Sequence, residues 1–208
     1  MSEAANRRPL KSRSSGWARA LSAALARTAI TPNQISVASV VFAAAGAWAL
    51  LASGAPWALL ICAACIQLRL VCNLIDGMVA VEGGKSSAVG GLYNEIPDRA
   101  ADSVLIVAAG YAAGVAWLGW CGALFAVGTA YIRALGGALG LPQDFRGPMA
   151  KQHRMALLTI GCLLGASLAH WWPPQYALRA ALWVIAAGAL ITCVTRTRAL
   201  ARALGARP

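Results

Sequence analysis

Six apolar stretches divide the chain, and each is long enough to form a membrane-spanning helix. They cover residues 34–53, 56–76, 98–117, 119–140, 155–172 and 176–195. A bilayer core about 30 Å thick needs roughly 20 apolar residues in helical conformation. Gly and Pro residues separate several of the stretches, as at Ser53-Gly54-Ala55-Pro56. The pattern therefore predicts an all-α, polytopic membrane protein with six transmembrane helices.

The few charged residues predict how these helices are oriented. Only 12% of the residues are charged, with 18 Lys+Arg against 7 Asp+Glu, whereas soluble chains contain about 25%. Fifteen of the basic residues lie near the two ends or in the longer connections after the second and fourth stretches. An even number of spans places all these segments on one side, which the positive-inside rule makes cytoplasmic. We therefore expect a cell-membrane (inner-membrane) protein with cytoplasmic termini, and the net charge of +11 needs no nucleic-acid partner.

Tryptophan positions favour the same orientation. Five of them lie at span ends that are predicted to face away from the cytoplasm, as in an interfacial aromatic belt. They are Trp57, Trp117, Trp120, Trp171 and Trp172.

A further helix is predicted ahead of the first span. Within residues 9–29, Trp17, Leu21 and Leu25 recur at i, i+4 and i+8, which favours an interfacial amphipathic helix over a disordered basic tail. The predicted organisation is a basic N-terminal segment with this helix at 1–30, a six-helix membrane domain at 31–195 and a basic cytoplasmic tail at 196–208.

Acidic residues are concentrated in one short region. Five of the seven lie between positions 76 and 102, namely Asp76, Glu82, Glu95, Asp98 and Asp102. Ionisable groups at membrane depth indicate function by default. Helical spacing places Arg69, Asn73, Asp76 and Ala80 on one stripe, and Asn94, Asp98 and Asp102 on a second.

Two facing stripes of oxygen ligands would suit Mg²⁺ or Mn²⁺. The alternative is a solvated acidic loop with Asn94 as a helix N-cap and Pro97 in the first turn. The spacing alone favours neither interpretation.

The spacing of this region also matches a known signature. Its residues read Asn73-x2-Asp76-Gly77-x2-Ala80-Val81-x8-Gly90-x3-Asn94-x3-Asp98. This resembles the Asp-x2-Asp-Gly-x2-Ala-Arg-x8-Gly-x3-Asp-x3-Asp signature of the CDP-alcohol phosphatidyltransferases. The segment Thr31-Pro32-Asn33-Gln34-Ile35-Ser36 is similar to that family's Thr-Pro-Asn-x-[Ile/Leu]-[Ser/Thr] opening. The resemblance covers residues 29–102, and in topology it continues to about residue 195.

The resemblance implies a transferase of phospholipid biosynthesis. Such an enzyme moves the phosphatidyl group of CDP-diacylglycerol to a small alcohol and releases CMP, using Mg²⁺ or Mn²⁺. It implies that the cytidine diphosphate group lies against Gly77, Ala80 and Gly90, and that Asp98 takes the hydroxyl proton. Relatives often form homodimers through their spans, so a homodimer is consistent with the resemblance. The resemblance does not identify the acceptor alcohol.

Three departures from the signature affect the expected metal site. Asn73 and Asn94 stand at two Asp positions and Val81 at the Arg position, which lowers the formal charge of the motif from −4 to −2. The implied metal ligands are Asn73, Asp76, Asn94 and Asp98, with either fewer metal ions or compensation by Glu95 and Asp102. A register that pairs Asp98 with Asp102 is the alternative to the strict one.

The same departures leave other functions open. A catalytically silent relative that binds a CDP-lipid is the main alternative to an enzyme, because Asn73 and Asn94 are neutral. A transporter of small solutes or cations that uses the acidic region is the third class.

Three basic residues are candidates for binding substrate phosphates. Arg69 shares the stripe of Asp76, and Arg133 lies near the predicted cytoplasmic end of the fourth stretch. Lys151 belongs to the basic segment 146–154, which resembles the loop that helps relatives bind acceptor or nucleotide phosphates. The alternatives are structural pairing or snorkelling for the two arginines and attraction of anionic lipid for the basic segment.

Overall fold

The computed structural model describes residues 15–206, which form seven α-helices and no β-strand. The helices are α1 (Gly16–Ala26), α2 (Pro32–Ala52), α3 (Pro56–Val81), α4 (Gly90–Ala112), α5 (Ala116–Ala138), α6 (Lys151–Ser167) and α7 (Gln175–Gly205). The predicted all-α class is confirmed for this range. Each of the six apolar stretches corresponds to one of the helices α2 to α7.

Four helices are long and apolar enough to cross a membrane, namely α2, α3, α5 and α7. The chain is therefore a multi-pass membrane protein. Helix α6 has only 17 residues, which is about 26 Å at 1.5 Å per residue, and α4 has charged side chains in its first half. The count of six spans stays a prediction.

The six long helices pack as a closed ring in the order α2, α3, α6, α7, α5, α4. Large apolar side chains fill the interior of the ring, among them Ile66, Leu105, Leu158 and Leu182. Apolar side chains such as Trp48 and Leu124 point outward, where they are 69% and 68% exposed. An apolar exterior is expected for helices that are solvated by lipid.

Helix α1 lies outside the ring, against α3. Ala18 is buried with Ile75, Met78 and Val79, while Trp17 and Leu21 are exposed. The predicted segment 9–29 thus contains a helix, although its first six residues lie outside the described range. Its position at the membrane interface remains a prediction.

Helix α4 begins at Gly90, eight residues before the third apolar stretch. Val89 is the N-cap residue, so the interpretation of Asn94 as an N-cap with Pro97 in the first turn is wrong. The backbone N–H groups of Leu92 and Tyr93 already donate to the carbonyl of Val89. Pro97 lies inside the helix, where its missing N–H removes one helical hydrogen bond.

Helices α4 and α5 meet at two glycines. A Cβ atom added to Gly110 would lie 2.7 Å from the Cα of Gly119, so Gly110→Ala requires a backbone shift. We expect this variant to lose about 1–3 kcal/mol of unfolding free energy, measured by denaturant titration in detergent. Gly137→Ala in α5 is the control, because a Cβ there meets no atom within 4 Å. Equal stability of the two variants would contradict the close approach.

Candidate active site

The N-terminus of α2 holds one end of the acidic region in place. Thr31 and Gln34 form a capping box, in which the Thr31 Oγ accepts from the Gln34 backbone N–H at 3.3 Å. One turn further, the Ser36 hydroxyl donates to Asp76 Oδ2 at 2.5 Å. The Thr31–Ser36 segment therefore starts the helix and also positions a carboxylate of α3.

A buried ion-pair triad links three helices beneath the site. Asp102 of α4 accepts from Arg69 Nη2 of α3 at 2.6 Å and from Arg154 Nη2 of α6 at 2.8 Å. All three side chains are almost completely buried. Arg69 Nη2 also donates to the backbone carbonyl of Asp98 at 3.2 Å. The triad thus fixes the backbone position of Asp98.

The loop before α6 is fastened to α7. Gly147 has a φ of 112° and packs against Thr192, and the Thr192 hydroxyl oxygen accepts from the Met149 N–H at 3.0 Å. This attachment fixes the start of α6, where Lys151 Nζ donates to Asp98 Oδ2 at 2.5 Å. Lys151 lies before the apolar stretch 155–172 and therefore outside the predicted membrane span. Burial lowers the pKa of its ammonium group, whereas the nearby Asp98 carboxylate acts to raise it.

Two clefts open at this end of the ring. The glycine cleft has a volume of about 370 Å³ and includes Asp76, Gly77, Ala80 and Gly90 in its lining. Small side chains on α3 and at the start of α4 leave room there for a group to approach the backbone closely.

The basic cleft has a volume of about 480 Å³ and is lined by five cationic side chains and two carboxylates. These are Arg99, Arg133, Lys151, Arg154 and Arg196, with Glu95 and Asp98. Five positive and two negative charges leave an excess of three positive charges in this cleft. It is therefore suited to an anionic ligand.

The two clefts share a border. Asn73, Asn94, Glu95, Arg133 and Phe145 line both of them. Arg133 Nη2 donates to Glu95 Oε1 at 2.5 Å, and its guanidinium lies 5.4 Å from the centre of the Phe145 ring. A group that is transferred from one cleft to the other would pass these side chains.

The structure brings most of the sequence-predicted site residues together. Ten of them line one or both clefts: Asn73, Asp76, Gly77, Ala80, Gly90, Asn94, Glu95, Asp98, Arg133 and Lys151. Arg69 and Asp102 line neither of these two clefts. Because Asp102 faces the two arginines, the arrangement favours the strict register of the signature over one that pairs Asp98 with Asp102.

Sequence reasoning assigned no site role to two cations of the basic cleft, Arg99 and Arg196, whereas Arg154 belongs to the predicted basic segment 146–154. Arg99 lies four residues after Glu95, so spacing along a helix could have indicated it. Arg196 comes from α7, where its Nη1 donates to the backbone carbonyl of Thr129 at 2.6 Å. No local pattern connects Arg196 with the acidic region, since only the packing of α5 against α7 brings them together.

Comparison with known proteins identifies the family. The family model described as CDP-alcohol phosphatidyltransferase matches residues 29–195. The chain belongs to this family. It is therefore an enzyme of the CDP-alcohol phosphatidyltransferase class, as its signature predicts.

Curated relatives and solved structures agree with this assignment. The phosphatidylinositol phosphate synthase of Mycolicibacterium smegmatis is 26% identical over 90% of this chain and 85% of its own length. That of Mycobacteroides abscessus is 25% identical over 89% of this chain and 84% of its own length.

Two crystal structures of the Mycobacterium tuberculosis phosphatidylinositol phosphate synthase share this fold. The structure with CDP-DAG bound has a TM-score of 0.75 and covers 88% of this chain and 92% of that one. The complex with manganese and citrate has a TM-score of 0.76 and covers 88% of each chain. Both are 23% identical to this chain.

The side chains at the border fit one hard divalent cation. Among residues 15–206 no three His, Cys, Asp or Glu side chains gather as metal ligands, so a metal ion here also needs amide oxygens. Asp98 Oδ1 is buried without a hydrogen-bond partner, 3.5 Å from Arg69 Nη2, and retains lone pairs for a cation. Asn73 Nδ2 is also buried without a partner, but it is an N–H donor that suits a phosphate oxygen, so Asn73 would offer a metal ion its amide oxygen. With Asp76 and Asn94, they offer two carboxylates and two amides. Their formal charge of −2 balances one divalent ion.

Proposed function

We propose that this enzyme transfers the phosphatidyl group of CDP-diacylglycerol to a small alcohol that itself carries a phosphate, and that it releases CMP. The observation that carries this proposal is the excess of three positive charges in the basic cleft, beside Asp98. The relatives named above are phosphatidylinositol phosphate synthases, which makes inositol phosphate the first acceptor to test.

The glycine cleft is the proposed site of the cytidine diphosphate group. Gly77, Ala80 and Gly90 line it, and their small side chains permit close approach to the backbone. CDP-DAG is bound in a solved relative of the same fold, which supports this ligand class. The diphosphate would extend toward the border that the glycine cleft shares with the basic cleft.

The proposed reaction is a displacement at the phosphorus atom that bears the diacylglycerol. The acceptor hydroxyl oxygen forms the new bond to this phosphorus, and the bond between phosphorus and the oxygen of the CMP group breaks. CMP leaves with the bonding electron pair. The hydroxyl proton passes to Asp98, whose Oδ1 has no hydrogen-bond partner.

Asn73, Asp76, Asn94 and Asp98 are the residues proposed to hold Mg²⁺ or Mn²⁺. Manganese is present in a solved relative. When bound, the ion would withdraw electron density from the phosphoryl oxygens and stabilise negative charge there. We leave Glu95 and Asp102 out of this ligand set, because both carboxylate oxygens of each accept a hydrogen bond from an arginine, whereas Asp98 Oδ1 accepts none.

The acceptor assignment is tested by CMP release from CDP-diacylglycerol with purified protein and Mg²⁺ or Mn²⁺. We expect release with inositol 1-phosphate or glycerol 3-phosphate, and much less with inositol or serine, because neutral or zwitterionic acceptors match the positive cleft less well. Release only with acceptors that lack a phosphate would overturn the acceptor proposal. The absence of CMP release with every acceptor would favour the catalytically silent alternative.

Lys151→Gln tests the basic cleft itself. Lys151 lines the basic cleft but not the glycine cleft, so we expect KM for the phosphorylated acceptor to rise by about tenfold or more. KM for CDP-diacylglycerol should change little. Arg198→Gln is the charge-matched control, because Arg198 lies on α7 outside both clefts. Equal effects of the two variants would contradict a specific contact with the acceptor.

The remaining proposals concern topology. Six spans with both termini and the clefts on the cytoplasmic side of the inner membrane would place the site where the basic residues gather. The division into residues 1–30, 31–195 and 196–208 is retained, although α7 continues without a break to Gly205. A homodimer through the spans remains an expectation from the resemblance.

A further inference from the structure

Glu95 pairs with two arginines that line the basic cleft. Its Oε1 accepts from Arg133 Nη2 at 2.5 Å, and its Oε2 accepts from Arg99 Nη2 at 3.2 Å. The bond to Arg133 joins α4 to α5 across the border between the clefts, and the bond to Arg99 lies within α4. A carboxylate that bridges two guanidinium groups is bound in the same manner as a phosphate would be.

The three side chains differ in how firmly they are held. The Glu95 side chain is 50% exposed, whereas those of Arg133 and Arg99 are 17% and 23% exposed. Arg133 lies over the Phe145 ring, and Arg99 Nε also donates to the backbone carbonyl of Glu95 at 3.4 Å. The arginines therefore keep other contacts when the Glu95 carboxylate leaves. Because the Glu95 side chain is the most exposed of the three, it is the group that can move away.

We propose that the Glu95 carboxylate competes with the phosphate of the acceptor for Arg133 and Arg99. This inference rests on the proposed function, since it assumes a phosphorylated acceptor in the basic cleft. When the acceptor binds, its phosphate forms ion pairs with the two arginines, and the Glu95 carboxylate turns toward solvent. Without the acceptor, Glu95 neutralises part of the positive charge of the cleft.

The same competition acts when the product leaves. The transfer joins the acceptor hydroxyl to the phosphatidyl group and leaves the acceptor's own phosphate unchanged, so the product still carries the group that the arginines bind. Glu95 can then pair with Arg133 and Arg99 again, which weakens the binding of the product. Glu95 thus lowers the affinity for the acceptor and accelerates release of the product.

Glu95→Gln tests this competition by direct binding of inositol 1-phosphate to the purified protein, measured by calorimetry. Because the amide is neutral and competes less well for the arginines, we expect Kd to fall by about three- to tenfold. KM should fall as well, and kcat should fall because the product dissociates more slowly. Binding of inositol, which has no phosphate, should not change.

Glu82→Gln is the matched control, because Glu82 lies at the C-cap of α3 and lines neither cleft. It should leave Kd unchanged. Glu95→Asp provides a second variant that keeps the charge but shortens the side chain by one methylene, and its Kd should lie between those of the wild type and Glu95→Gln. An unchanged or higher Kd in Glu95→Gln would overturn the inference.

Failure of this inference can be told apart from failure of the proposed function. If the wild type binds inositol 1-phosphate, Lys151→Gln weakens that binding and Glu95→Gln does not strengthen it, only the competition is wrong. If neither inositol 1-phosphate nor glycerol 3-phosphate binds to the wild type, the proposed acceptor class is wrong, and the proposed competition is wrong as well.

Discussion

Replacing Asp98 with Asn is expected to lower the rate of CMP release from CDP-diacylglycerol by about 10²- to 10⁴-fold, the usual contribution of a general base. The amide that replaces the carboxylate cannot accept the hydroxyl proton, and it also weakens the contact with Lys151 Nζ, which lies 2.5 Å from the carboxylate. Initial rates at saturating CDP-diacylglycerol and acceptor measure the loss. Saturating Mn²⁺ should not restore the rate, because added metal can compensate for a weakened ligand but not for a missing base.

Asp144→Asn is the control for this experiment, because it makes the same chemical change outside the two clefts. Asp144 pairs with Arg146 in the loop before α6. Its variant should retain the wild-type rate. A rate for Asp98→Asn within a factor of two of the control would rule out a role for Asp98 as the base, and restoration by Mn²⁺ would indicate that Asp98 acts only as a metal ligand.

Asp102→Asn should destabilise the fold strongly. The substitution removes the carboxylate counter-ion of Arg154 and the closer of the two counter-ions of Arg69, whose Nη2 also lies 3.5 Å from Asp98 Oδ1. The two arginine side chains are 0% and 1% exposed. Removing one partner of a buried ion pair costs about 3–5 kcal/mol. The free energy of unfolding in detergent measures the loss. Activity should fall as well, because Arg69 also holds the backbone carbonyl of Asp98.

An apolar replacement of the whole triad is the informative control. The triple variant Arg69→Met, Asp102→Leu and Arg154→Met removes every charge together and should recover most of the lost stability. It should remain less active than the wild type, because Arg154 lines the basic cleft. Stability of Asp102→Asn within about 0.5 kcal/mol of the wild type would contradict the structural role of the triad.

Much of the site was predictable because its residues are close together in sequence. Asn73 and Asp76 lie about one helical turn apart on α3, and Asn94 and Asp98 lie about one turn apart on α4. Helical periodicity alone places the members of each pair on one face. The signature spacing adds that the two pairs belong to one site, and the family match over 29–195 agrees with it.

Periodicity could not predict which charged groups pair with each other. Arg69 and Asp76 share one stripe, yet Arg69 faces Asp102 in the triad, whereas Asp76 accepts from Ser36. Those partners lie 33 and 40 residues away in sequence. The position of a side chain on its helix follows from local spacing, but its partner depends on the neighbouring helix and on the rotation of that helix about its own axis.

The sequence by itself determined the apolar helices, the gathering of basic residues and the signature, because bilayer thickness and helical geometry act on short stretches of chain. Only the tertiary structure decided that Asp102 lies in a buried triad, that Glu95 binds two arginines, and that Arg196 lines the cleft that holds Lys151. The reason is that burial and ion pairing depend on which helices are neighbours in the ring. Helices α3, α4, α5, α6 and α7, which form this site, are brought together only by packing.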